Sequence, residues 1–223
     1  MSGYAVTENR LAKAQKIEAV LQEHLNRKTS GLQILDIGSG VGEIALFFTG
    51  QNNVFAVDVE NQMTDIVKSS NIVFKKVDSE HLPFVDDTFD IIISNHVIEH
   101  VGDATLHLAE VKRCLKPTGI CYFSTPNRIF PKEVHTKLWF LHWLPTALFF
   151  LVLKVTKRFS EPIHLLSYRK QKQLFKKVGL TFTEYTREII NNPDKYCLDE
   201  RIPFRIPKWA QALSKTTIFV LSR

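Results

Sequence analysis

The residues able to do chemistry gather at a few places along the 223-residue chain. Gly38, Gly40 and Gly42 alternate between an apolar run, Leu32, Ile34, Leu35 and Ile37, and a helical pattern of Ile44, Ala45, Phe47 and Phe48. That order is strand, tight turn, helix. Glycines there let the backbone turn and approach a ligand where a Cβ would collide, so the stretch is expected to cradle a nucleotide-like cofactor. A turn that holds no ligand is the plain alternative. Asp58 ends the apolar segment Asn53 to Asp58, twenty residues past Gly38, where an acid can accept from ribose hydroxyls. Asp78 can accept from an amino group and Ser79 can donate. His96, His100 and His135 are the candidates for a general base, each with local capping or packing as the alternative.

These groups need a scaffold that brings them to one edge. Residues Thr7 to Asn26 carry Leu11, Ala14, Ile17, Leu21 and Leu25 on one helical stripe, an amphipathic helix that either packs on the domain or covers the cofactor pocket. Further strands are expected at Ile72 to Lys76, Phe89 to Ser94, Ile120 to Thr125, Leu180 to Tyr185 and Thr216 to Leu221. Helices are expected over Ala104 to Leu115, closed by Pro117 and Gly119, and from a Ser167 cap to Val178-Gly179. Residues Ile190 to Pro207 read as irregular. Alternating strands and helices imply a largely parallel sheet covered on both faces, which binds ligands beyond the carboxyl ends of its strands. Asn95-His96 falls at such an end. The length suits one domain over residues 1–223, with an N-terminal helix in 1–29 and an insert at 128–166.

Three cysteines, Cys114, Cys121 and Cys197, without CxxC spacing indicate neither a disulfide framework nor a metal site, and fit a reducing, cytoplasmic compartment. The N-terminus lacks the apolar core of a secretory signal. The net charge of +6 is concentrated: between Arg128 and Lys172 nine bases face two acids, leaving the remainder close to neutral. Within that region residues 138–153 are apolar apart from His142 and Thr146, but sixteen residues broken by Pro145 fall short of the roughly 20 that span a bilayer. Two readings stay open, a lid over an apolar substrate pocket or an interfacial segment that would place the protein on the inner membrane face.

Glu43 stands where the dinucleotide fingerprint wants its third glycine, and its carboxylate in the first helical turn disfavours a diphosphate. A Gly-Lys-Ser/Thr sequence is absent, which removes the P-loop. Taken in order, Ile34-Leu35-Asp36-Ile37-Gly38-Ser39-Gly40-Val41-Gly42, Val57-Asp58, Asp78 to Pro83-Phe84, Phe89-Asp90, Val97-Ile98-Glu99-His100 and Leu115-Lys116-Pro117-Thr118-Gly119 resemble the class I S-adenosylmethionine-dependent methyltransferases. The likeness is to the small-molecule, type 11-like subgroup that includes ubiquinone-biosynthesis-type enzymes, strong over Leu32 to Asn127 and weak from Ser167 onward.

The resemblance implies an α/β fold: a three-layer, doubly wound seven-stranded sheet, mostly parallel with an antiparallel last strand, and here a helical insert after strand five. It implies S-adenosylmethionine as cofactor, with Asp36 and the Gly38, Gly40, Gly42 loop by the methionine part and Asp58 with Val59 at the ribose. Asp78 and Ser79 would meet the adenine and Asn95 the sulfonium side. Thr118 replaces a common glycine, and about 30 residues separate the last two strands where a hairpin is usual, so Glu188 to Lys215 is expected on the substrate side. The sequence lacks the Asn/Asp-Pro-Pro-Tyr/Phe tetrad of nucleic-acid amino methylation, so nucleic acid is disfavoured. The expected acceptor is an apolar or amphipathic small molecule carrying a hydroxyl: a lipid-like or polyprenyl phenol, or a lipid-linked sugar. The alternative is a non-catalytic protein of the same fold that docks to a membrane or partner through residues 138–153.

Overall fold

The computed structural model describes residues 8–130, 163–198 and 205–223. In chain order they form α1 (Glu8–Leu25), β1 (Gln33–Ile37), α2 (Glu43–Phe48), β2 (Asn53–Asp58), α3 (Asp65–Lys68), β3 (Val73–Lys76), β4 (Phe89–Asn95), α4 (Ala104–Cys114) and β5 (Leu115–Pro126). After the insert come α5 (Tyr168–Val178), β6 (Thr181–Glu184), α6 (Thr186–Asn191), a short 3-10 helix (Lys208–Leu213) and β7 (Thr216–Ser222). Among the described residues no helix is long and apolar enough to cross a membrane.

The strands make one seven-stranded sheet in the order β3-β2-β1-β4-β5-β7-β6. Only β7 runs antiparallel to its neighbours, β5 and β6. Alternation along each strand sends side chains to opposite faces. Ile34, Ile91, Ile93 and Tyr122 pack on one face with Ile17, Val20 and Leu21 of α1 and Ile44, Ala45 and Phe48 of α2. Leu35, Ile92 and Phe123 pack on the other with Leu108 and Val111 of α4 and Phe175 of α5. The result is the three-layer arrangement expected.

Several boundaries differ from expectation. The buried stripe of α1 is Ala14, Ile17, Val20 and Leu21, while Leu11 is exposed. Strand β5 begins at Leu115, directly after α4, because Leu115 pairs with Phe89 and Ile120 with Ile91, and the ladder shifts between them. Residues Lys116 to Gly119 take up the extra length as a bulge. Gly119 is required there, since a Cβ would lie 2.8 Å from the Phe89 carbonyl oxygen. The segment read as irregular supplies part of α6, where Ile189 is buried, and Tyr196 beyond it is buried too. Tyr196 donates to the Glu23 carboxylate of α1, and Lys195 pairs with the same carboxylate at 2.9 Å. The helix caps stand where expected: Ser167 Oγ accepts from the Lys170 amide, and Gly179 closes α5 at φ +74°.

Candidate functional site

Strand β1 ends in the glycine turn. The Gly38 and Ser39 amides donate to the Val57 carbonyl at 2.9 and 3.2 Å, folding the turn back onto the end of β2. Gly38, Gly40 and Gly42 all take positive φ, +67°, +52° and +80°. Their surroundings differ. A Cβ on Gly38 would stand 2.7 Å from Val97 Cγ2 and one on Gly42 2.6 Å from Val67 Cγ1, whereas Gly40 has nothing within 4 Å. At Gly38 and Gly42 a Cβ would thus meet the protein's own valines, and of the three Gly40 alone has open space beside it. Gly42→Ala adds overpacking to left-handed strain and is expected to cost about 3 kcal/mol, against about 1–2 kcal/mol of strain alone for Gly40→Ala. Thermal melts of the two variants check the difference.

A cleft of about 530 Å³ opens beyond the carboxyl ends of β1, β2 and β4. Gly38, Asp58, Val59, Asp78, Ser79, His96 and His100 line it. Asp36, Gly40, Gly42 and Asn95 are not among its lining residues. Asn95 instead accepts from Ser124 Oγ at 2.7 Å. Asp58 steadies the loop, its Oδ2 accepting from the Gly40 amide at 2.7 Å and its Oδ1 from the Glu60 amide at 3.2 Å. Asp36 lies behind the loop, 2% exposed, and its Oδ2 has no partner among the described residues. Burial, and then the charge of Asp58, pushes its carboxyl up to about 7. The buried Ser39 Oγ is likewise without a partner there. Four acids, Asp58, Glu60, Asp78 and Glu80, line the cleft and, among the described residues, no lysine or arginine does. This, more than Glu43, argues against a diphosphate, because Glu43 is paired with Arg10 at 3.2 Å.

Two further residues in this region were not singled out from sequence. His107 of α4, 2% exposed, forms part of the cleft floor with its Nε2 3.0 Å from Ser94 Oγ. Burial pulls it down to about 4, so it is neutral at ordinary pH. Glu99 is fully buried beside His96, with His96 Nδ1 3.2 Å from its Oε1 and Thr125 Oγ1 donating to its Oε2 at 2.9 Å. Burial acts to raise this carboxyl, but the hydrogen bond and charge of His96, with Thr125, hold it below its usual value. An ionised Glu99 accepts only, so Nδ1 of His96 carries a proton and Nε2 keeps the lone pair of the neutral ring. The three-residue spacing of His96 and Glu99 after β4 was the available signal, and a histidine interior to a helix offers none. His96 itself sits at φ +62°, strained for a non-glycine residue, with its amide bonded to the Ser124 carbonyl at 2.9 Å.

A second cleft, of about 480 Å³, shares His96 with the first. It is lined by Lys13 and Lys16 of α1, Ile189 of α6 and Lys215 before β7, so α1 borders this cleft and not the four-acid one. Residues expected on the substrate side, among them Ile190, Leu198 and Ser214, are here. The insert leaves and rejoins nearby: Arg128 donates its amide to Leu166, and His164 donates its amide to the Glu99 carbonyl at 2.7 Å. Tyr168 packs on Phe219 and donates to Glu184 at 2.6 Å. His135 and residues 138–153 lie outside the described residues.

Residues 8–185 match a family of methyltransferase domains. The chain belongs to that family, within the class I S-adenosylmethionine-dependent methyltransferases. It is 31% identical over 144 residues to a ubiquinone biosynthesis O-methyltransferase of Rickettsia akari, covering 58% of this chain and 57% of the relative. It is 30% identical over 123 residues to a ubiquinone/menaquinone biosynthesis C-methyltransferase of Saccharophagus degradans, covering 48% and 49%. The chain thus spans about half the length of the curated relatives it matches. The crystal structure of an S-adenosylmethionine-dependent methyltransferase from Mesorhizobium loti superposes with a TM-score of 0.63 over 93% of this chain and 98% of that one, at 16% identity, a likeness of fold.

The residues present fit S-adenosylmethionine. Its sulfonium and ammonium suit a cleft lined by four acids, and behind the glycine loop Asp36 Oδ2 and Ser39 Oγ are buried polar atoms without a partner among the described residues.

Proposed function

We propose that the chain transfers a methyl group from S-adenosylmethionine to a hydroxyl oxygen of an apolar or amphipathic small molecule, a lipid-like or polyprenyl phenol or a lipid-linked sugar. The observation that carries this reading is His96, which stands between the two clefts with its Nδ1 held by a buried carboxylate. When bound, S-adenosylmethionine supplies an electrophilic methyl whose leaving group departs neutral. The chain's own work is then alignment and proton removal. Asp58 and Val59 meet the ribose and Asp78 and Ser79 the adenine, with Asp36 behind the glycine loop facing the ammonium. Holding nucleophile and methyl in line is worth roughly 7–11 kcal/mol. His96 Nε2 takes the hydroxyl proton, and Glu99 fixes the ring and stabilises the imidazolium that forms. A positioned base of this kind adds on the order of 10²–10⁴-fold. His100 on the cleft rim and His135 in the insert remain the other bases to compare with it.

The names of the two relatives, both in quinone biosynthesis, support a phenolic acceptor, while one is called an O- and the other a C-methyltransferase. Calorimetry with S-adenosylmethionine tests the donor, with micromolar binding expected; no heat at millimolar ligand overturns the proposal. Transfer of label from methyl-labelled donor into a lipid extract, followed by identification of the labelled bond, tests the oxygen acceptor.

A further inference from the structure

The two clefts that meet at His96 carry opposite charge. The donor-side cleft holds four acids and, among the described residues, no lysine or arginine. The other holds Lys13, Lys16 and Lys215 and, among the described residues, no acid. Neither Lys13 nor Lys215 has an ion-pair partner among the described residues. They lie close enough to act on each other: partial burial, then Arg10 and Lys215, hold the Lys13 ammonium below its ordinary range. Bringing like charges together costs energy that an anion between them recovers. Apolar wall is at hand, because Ile189, Leu198 and Ile218 line the same space. At about 480 Å³ it is of a size for a small molecule.

Resting on the methyltransferase reading, we infer that this cleft is the acceptor site and that Lys13 and Lys215 bind a compact anionic group, carboxylate or phosphate, carried by the acceptor. The apolar wall takes the acceptor's body, and the shared His96 puts its hydroxyl next to the donor cleft. Selectivity then comes from charge: a neutral compound of the same shape leaves the two ammonium charges uncompensated. Lys16 adds to the positive field without a required contact.

The test uses the full chain loaded with S-adenosylmethionine and follows 4-fluorobenzoate, 4-fluorophenyl phosphate and the neutral 4-fluorobenzamide by fluorine NMR titration. At low salt at least one anion is expected to bind tenfold or more tighter than the amide, and the tighter of the two anions tells carboxylate from phosphate. The preference shrinks in 0.5 M salt, and the K13Q/K215Q double variant, which alters two exposed side chains and keeps wild-type melting and donor affinity, reduces it to threefold or less. Equal binding of anions and amide, absence of anion binding up to 20 mM, or an undiminished preference in the double variant overturns the inference. Donor binding is read in the same samples. Its failure brings down the methyltransferase proposal, whereas donor binding without anion preference brings down only the acceptor site.

Discussion

Asp36→Asn is expected to weaken S-adenosylmethionine binding by about 100-fold while making the ligand-free protein more stable above neutral pH. The carboxyl is buried, has one unpaired oxygen, and titrates near 7, raised above its ordinary 3.8 first by burial and then by Asp58. Its folded value is raised, so the folded state holds a proton that the unfolded chain has already lost. The favourable balance is therefore full below the unfolded value and is lost as pH climbs from about 4 to about 7. Between pH 5.5 and pH 8 this one group removes roughly 2 kcal/mol of stability. The asparagine has no charge to lose. Its melting advantage over wild type is expected to grow by roughly 5 °C over that interval. With the donor bound the order reverses, because an ammonium partner stabilises the ionised carboxylate and the amide cannot replace it. Melts at both pH values, with and without donor, check both halves. A variant whose advantage does not change with pH would show that Asp36 does not titrate in this range, and unchanged donor affinity would remove it from the site.

The four-acid cleft was more legible in the sequence than the second cleft. The glycine turn, Asp58 and Asp78 lie at strand ends, within segments whose periodicity already gave the strands, so their meeting at one edge followed from a parallel sheet. Asp36 follows from the same strand. Its burial does not, because alternation alone does not say that both faces are covered where a carboxylate points inward. The second cleft draws Lys13 from the first helix, His96 from the sheet centre and Lys215 from just before the last strand, residues that no local pattern links. The sequence's basic character directed attention to residues 128–172, whereas the lysines in the described cleft lie outside that stretch. The β5 bulge was hidden for a related reason: Pro117 and Gly119 signal a break, and a turn and a bulge use the same residues.

Glu99→Gln is expected to lower the turnover number by about 10- to 100-fold, and His96→Gln by 10²-fold or more, with donor affinity within twofold of wild type in both. The two variants separate position from proton transfer. Glutamine at 99 keeps one oxygen for His96 Nδ1 and turns its amide NH2 towards Thr125, so it preserves the ring's position but no longer supplies the charge that stabilises the imidazolium formed as the hydroxyl proton is taken. A merely structural Glu99 would leave turnover per folded enzyme in place and change only the amount of folded protein. His100→Gln, on the exposed rim of the donor cleft, is the control, and its turnover should stay within twofold of wild type. If His96→Gln turns over like wild type, the acceptor arrives already ionised or uses another base, and the role of His96 reduces to holding the wall between the two clefts.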